Sequence, residues 1–310
     1  MPVPKRLCNN RSKPLPRISL VICTYNREDI LPRCLVAADS QSLAKEDYEI
    51  IVVDNASSDH TRDIVQRYPG VRYLYCGTRG LSSARNTGLT AARSDLVAFI
   101  DDDAIAGREL LRELLNTFEA NPDAGCVGGR IELILPPKLP AWYSKEFAGY
   151  YSAFDLGGGQ PRRVSEMWEY PFGANVAYRK HAILEAGYFS EKLGRVGRNQ
   201  SGGEELDLEC RIAALDYGIY YNPRARVEHV IMPQRLRWSH IANSARAAGR
   251  NWAYYEVELW KKPAPMRGDV RLFVGALARL GHRDGFHLAY SQSLFYAAKI
   301  SRKLRYRIAG

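Results

Sequence analysis

Long apolar runs are missing from this sequence. No window offers the 18 or so uninterrupted apolar residues of a membrane-spanning helix. The first residues carry Lys5, Arg6 and four prolines but no apolar core of signal-peptide length. A cytoplasmic protein is the expectation. Cysteine pairs are absent too. The six cysteines (Cys8, Cys23, Cys34, Cys76, Cys126, Cys210) include no CxxC, which removes the usual zinc and dithiol frameworks. Cys23 and Cys126 sit in apolar runs and are expected to be buried, reduced thiols. Neither GxGxxG after a strand nor GxxxxGK[ST] occurs, so dinucleotide and P-loop binding lack their phosphate loops. Acidic residues are scarce at one end. From Leu259 onward eleven Lys/Arg face two Asp and no Glu, which places nearly all of the formal +10 charge in the tail. Such a tail suits an anionic partner.

What the chain does contain is organised around Leu96-Val97-Ala98-Phe99-Ile100-Asp101-Asp102-Asp103. Five apolar residues predict a buried strand, and three carboxylates follow it directly. Adjacent acids repel one another and resist desolvation, and a hard divalent cation such as Mg²⁺ or Mn²⁺ is the simplest compensation. Upstream, strands are predicted at 18–23, 50–53 and 71–75, with helices at 29–38, 60–68 and 81–92. This alternation predicts an α/β fold with a mostly parallel central sheet flanked by helices. Polar or acidic residues follow the first, second and fourth strands, where open α/β sheets bind ligands. Asp54 is placed to accept hydrogen bonds from a ribose or base. Thr24, Tyr25 and Asn26 offer a stacking face and polar contacts. Arg85 and the helix N-terminus at 79–81 can face a diphosphate.

The segments VICTYNRED, IVVDNASSD, GLSSARNTGL and FIDDD resemble the family 2 glycosyltransferases of GT-A fold, over roughly residues 17–235. The resemblance implies transfer of a sugar from a nucleotide-diphospho-sugar, UDP-linked in the first instance, with inversion. It implies a nucleotide site of Thr24, Tyr25, Asn26, Arg27, Asp54, Arg85 and Asp102. Metal is expected on Asp103 above all, with Asp101 and, as a strand-end imidazole, His229. Asn175, in Phe172-Gly173-Ala174-Asn175, is expected beside the donor sugar together with Glu204. Family members place Glu-Asp where this chain has Glu204-Glu205. Glu205 thus takes the position of the base that deprotonates the acceptor hydroxyl, and Asp207 is the alternative base.

The segment 141–160 is rich in aromatics, suited either to an acceptor site or to a hydrophobic cover over the sheet. Residues 192–203 are glycine-rich and basic and are expected to close over substrate. Gln234-Arg235-Leu236-Arg237-Trp238 spells the QxxRW of processive polysaccharide synthases, which carry transmembrane helices not seen here. The expected division is a lead-in at 1–16, a transferase domain at 17–235 (nucleotide half 17–105, acceptor half 106–235) and a helical, basic extension at 236–310. The expected acceptor is a glycan or polyprenyl-linked hydroxyl. From about Phe286, five basic residues and Phe295 are expected to rest on the inner face of an anionic membrane. Two rivals stand beside this. A sugar-phosphate nucleotidyltransferase would carry a glycine-rich basic loop after the first strand, where Thr24-Tyr25-Asn26 stands. A nucleic-acid-binding protein would not place acids at its strand ends, so no nucleic-acid partner is expected.

Overall fold

The four strands and three intervening helices of the first half form as the apolar periodicity predicts. In a computed structural model, which describes residues 15–194, 202–261, 263–281 and 286–309, they are β1 Ile18–Thr24, α1 Leu31–Asp39, β2 Tyr48–Asp54, α2 Thr61–Gln66, β3 Val71–Tyr75, α3 Leu81–Ala91 and β4 Leu96–Asp101. The unbroken apolar run of β2 is buried throughout, because helices cover both faces of the parallel ladder that β3, β2, β1 and β4 make. Register places Thr24 beside Asp54, and Cys23 beside Asp101. The strand ends singled out in the sequence therefore share one edge.

After β4 come β5 Ala104–Ala106, α4 Leu110–Ala120, β6 Ala124–Ile134, β7 Arg162–Val164, β8 Asn175–Arg179, α5 Lys180–Ala186, α6 Glu204–Ala213 and β9 Gly218–Val230. The sheet runs β3-β2-β1-β4-β8-β6-β9-β5, with β7 on β9. Pairing turns antiparallel at β4–β8. Beyond it, β6 and β9 run parallel. Two departures from the expected elements matter. β5 is a three-residue strand directly after the acids, too short for any periodicity to announce. β9 is one strand where two were expected. Register jumps from Gly129↔Asn222 to Arg130↔Arg226, so Pro223, Arg224 and Ala225 leave the ladder in a bulge.

Among the described residues three α-helices follow: α7 Trp238–Tyr254, with a π turn at Tyr255–Leu259, α8 Met266–Ala278 and α9 Phe286–Ala309. The aromatic segment is the layer between them and the sheet. Phe147 and Tyr151 are buried with Ile231, Leu236 and Ile241. Trp142 meets Trp238 edge-on at 5.6 Å, and Trp238 meets Tyr290 at 5.7 Å. Most of that segment is thus cover.

The tail corrects one expectation. Lys299 and Lys303, counted among the surface charges, are buried between Glu256 and Asp269, with Lys299 Nζ 2.7 Å from Asp269 Oδ1. Two acids upstream consume two of the five basic residues assigned to the membrane, because an unpaired ammonium could not be buried. No helix among the described residues is long and apolar enough to cross a membrane. Cys23, Cys34, Cys76, Cys126 and Cys210 are unpaired thiols, and burial pushes Cys23 up to about 12. Cys8, most of the lead-in, and residues 195–201 of the expected closing loop lie outside the described residues.

Candidate active site

A cavity of about 490 Å³ opens at the shared strand edge. Its floor is Thr24 with Asp101, Asp102 and Asp103. One wall is Arg79, Gly80 and Arg85, at the start of α3. The facing wall is Gly203, Glu204 and Glu205 with Phe172 and Gly173, and α7 contributes Ser244, Ala247 and Asn251.

The acids are held by the short strand that follows them. Ala104 of β5 pairs with His229 of β9, and the Val230 N–H donates to the Asp103 carbonyl at 2.9 Å. His229 is thereby carried to the acids. Its Nε2 lies 2.8 Å from Asp103 Oδ1, and its Nδ1 lies 2.8 Å from the Tyr151 carbonyl oxygen. That carbonyl can only accept, so Nδ1 is the donor. Ligand atoms of Asp101, Asp103 and His229 lie within 4.8 Å of one another. Two carboxylates and an imidazole whose far nitrogen is fixed by a backbone carbonyl suit Mn²⁺ or a similar divalent ion. The donor set fits a metal.

Electrostatics at this floor are divided. Burial and the adjacent Asp103 charge push Asp102 above the ordinary carboxylate range, against Arg27. Burial also opposes charge on Asp103, but His229, Arg235 and Arg27 outweigh it and hold that carboxyl below its usual value. Arg235 Nη1 is 3.1 Å from Asp103 Oδ2, and Arg27 lies 3.7 Å from both Asp102 and Asp103. For His229, burial disfavours the imidazolium and Asp103 more than restores it, so its pKa is raised.

Arg85 joins the two acidic groups. It is buried, 2.8 Å from Glu204, 3.1 Å from Glu205 and 3.8 Å from Asp101. Gly173 makes this approach feasible, since a Cβ there would fall 2.1 Å from Arg85 Nη2 and 2.2 Å from Glu205 Oε1. At Gly203 the backbone has φ +95°, and an added Cβ would strike the Tyr255 hydroxyl. Asn251 Nδ2 donates to the Gly202 carbonyl at 2.8 Å. The C-terminal extension therefore fixes the lead into α6.

The remaining residues fall into two groups. Tyr25, 40% exposed, lies in the cavity wall with the Arg79 guanidinium over its ring at 5.3 Å. Asn26, Asp54, Asp207 and Asn175 do not line the cavity. Asn26 ties two loops, its Oδ1 accepting from Ser58 N at 2.8 Å. Asp54 accepts from the Tyr73 hydroxyl at 2.7 Å and from Ser57 N at 2.8 Å. Asp207 is buried against Arg211 at 2.7 Å, one helical turn on, while Glu205 faces the cavity. Asn175 is fully buried. Its amide donates to the Arg130 carbonyl at 3.0 Å and the Ala225 carbonyl at 2.9 Å, the carbonyls freed by the β9 bulge. Sequence reasoning missed the α7 wall. The small residues Ser244, Ala245, Ala247, Ala248 and Gly249, which let a helix approach a cavity, were its signal. Asn55 was missed as well. It bridges the Gly80 N–H and the Thr78 carbonyl, both at 2.7 Å.

The model of Glycosyl transferase family 2 matches residues 19–182. A glucosyl-dolichyl phosphate glucuronosyltransferase of Haloferax volcanii is 26% identical over 230 residues, covering 73% of this chain and 72% of that one. A validoxylamine A glucosyltransferase of Streptomyces hygroscopicus is 38% identical over 229 residues, 64% of this chain, which spans 48% of that relative's length. Among solved structures, the mannosyltransferase PcManGT of Pyrobaculum calidifontis, in complex with GDP-Man and Mn²⁺, superposes with a TM-score of 0.57 at 18% identity, covering 94% of this chain and 87% of that one. S. aureus TarS with UDP-GlcNAc gives 0.56 at 17%, covering 94% and 92%. These two establish the GT-A fold. With the family model matching more than half of the chain, this protein belongs to glycosyl transferase family 2 and is a glycosyltransferase.

Proposed function

We propose that the enzyme transfers a sugar, with inversion, from a nucleotide-diphospho-sugar to a hydroxyl of a glycan or lipid-linked acceptor. The observation that carries this reading is that Glu205 and the carboxylates Asp101 and Asp103, which gather with the buried His229, line one cavity, with Arg85 between Glu205 and Asp101. A leaving diphosphate and an attacking hydroxyl must lie on opposite faces of the sugar, and this arrangement supplies a group for each. Tyr25 offers its ring to the base, and the Thr24 strand end, which Asp54 supports from the neighbouring strand, forms the nucleoside side. Arg79 and the start of α3 present positive charge to the diphosphate. A divalent ion on Asp101, Asp103 and His229 would neutralise charge on the departing diphosphate. Glu205 accepts the acceptor hydroxyl's proton as that oxygen attacks the anomeric carbon, and Glu204 orients the sugars beside it. Asn175 acts through the wall it ties together.

UDP is the proposed nucleotide, and cell-surface polysaccharide or glycoconjugate synthesis the proposed setting. The name of the Haloferax relative, a glucosyl-dolichyl phosphate glucuronosyltransferase, supports a lipid-linked acceptor. A thermal-shift screen of UDP-, GDP- and dTDP-sugars with and without Mn²⁺ tests the donor assignment. A cognate donor at a hundredfold excess over its dissociation constant stabilises by about 2.7 kcal/mol. Absence of any shift with metal present would refute it.

A further inference from the structure

The exposed side of α8 is distinct from the catalytic cavity and has a composition of its own. Val270, Val274 and Leu277 follow one another at helical spacing and are 41%, 56% and 42% exposed. Arg267 and Arg271, also exposed, flank this stripe, and Arg279 follows the helix. The helix contains one acid, Asp269, and that acid is turned inward and neutralised by Lys299 and Lys303. Its outer face therefore carries apolar and cationic side chains with no anion among them. Isolated exposed apolar residues are ordinary, but three in one stripe beside arginines are not.

We propose that this face of α8 seats the enzyme on an anionic lipid surface. Charge decides the occupant. A second copy of the chain would bring arginine against arginine, whereas acidic headgroups match the arginines while the stripe enters the acyl boundary. The same observation moves the membrane contact away from α9. There Lys299 and Lys303 are internal, and the Phe295 backbone packs against Gly249 of α7. The proposal goes beyond the transfer reaction and requires neither the donor nor the acceptor to be as assigned above.

Sedimentation of the full chain with vesicles of phosphatidylglycerol and phosphatidylcholine in equal parts, against phosphatidylcholine alone, tests it. The wild type should partition onto the anionic vesicles at low salt, be released at high salt and ignore neutral ones. Arg267→Gln with Arg271→Gln should weaken partition by about twenty-five-fold, fivefold for each arginine. Val274→Ser with Leu277→Ser should weaken it by about tenfold. Both pairs face solvent, so melting temperature and nucleotide-dependent stabilisation should stay at wild-type values, which separates loss of docking from loss of fold. Partition unaltered by either pair, or equal binding to neutral vesicles, would overturn the proposal. So would a dimer in light scattering that the serine substitutions dissolve, because a second copy would then cover the face.

Discussion

His229 Nε2 lies 2.8 Å from Asp103 Oδ1, across 126 residues of sequence. One short antiparallel pairing, Ala104 with His229, brings them together. The Tyr151 carbonyl fixes the imidazole from its far side. A buried acid, a buried imidazole and Asp101 beside them form a preorganised donor set, and preorganisation is what keeps a metal where charge develops in the reaction.

Glu205→Gln keeps the size of the side chain and removes its ability to take a proton. Nucleoside diphosphate release from the donor should fall about a hundredfold or more, with nucleotide affinity within about twofold of wild type. Asp207→Asn should behave differently. It weakens a buried pair with Arg211 and should lower stability by about 1–3 kcal/mol in urea melts while turnover survives. Reversed signatures would place the base two residues further on.

Asn175→Ala strips the amide from two buried carbonyls at the β9 bulge. Unsatisfied buried acceptors are expensive, and the variant should lose about 2–4 kcal/mol. Nucleotide affinity measured below the unfolding transition should be unchanged. A full-strength fold with weakened donor binding would return Asn175 to a direct role at the sugar.

Glu49, at the other end of β2, is buried. Burial disfavours its charge, but hydrogen bonds from Ser19, Arg72 and Arg93 prevail and hold its pKa below the ordinary range. A carboxylate depressed in the folded state contributes stability that is full above its unfolded value and is lost as pH falls through the folded one. Glu49→Gln should therefore cost about 2 kcal/mol at neutral pH and progressively less below about pH 4. Urea midpoints measured across that range provide the check. A difference that grows on acidification would contradict the assignment.

The first half of the fold, β1 to β4, was legible because its strands are apolar runs separated by helical periodicity. The acids at 101–103 stood out as three adjacent carboxylates at a buried strand end, whereas the groups that partly compensate them, Arg27, Arg85, Arg235 and His229, are remote in sequence and came to light only in the fold. His229 was visible as a strand-end imidazole, but its partner strand, Ala104–Ala106, was not. Three residues carry no period, and the pairing is long-range. Asn175 was placed by resemblance at the donor sugar. Its engagement with the Arg130 and Ala225 carbonyls depends on a bulge that only the β6–β9 register reveals. The tail was read as a surface from its charge. Glu256 and Asp269 precede the lysines they neutralise by up to 47 and 34 residues, a distance over which charge counts say nothing about pairing.

The central claim is that Asp101, Asp103 and His229 hold a divalent ion through which the nucleotide diphosphate is bound. Isothermal titration of UDP and GDP into the wild type, Asp103→Asn and His229→Ala, each with Mn²⁺ and with EDTA, tests it most directly. The account predicts that one nucleotide binds the wild type in Mn²⁺, that EDTA abolishes this binding, and that each substitution weakens it about a hundredfold or more at temperatures below each variant's own unfolding transition, His229→Ala melting lower because the Tyr151 carbonyl loses its donor. Nucleotide binding of equal strength in EDTA, or unaltered by both substitutions in Mn²⁺, would contradict it.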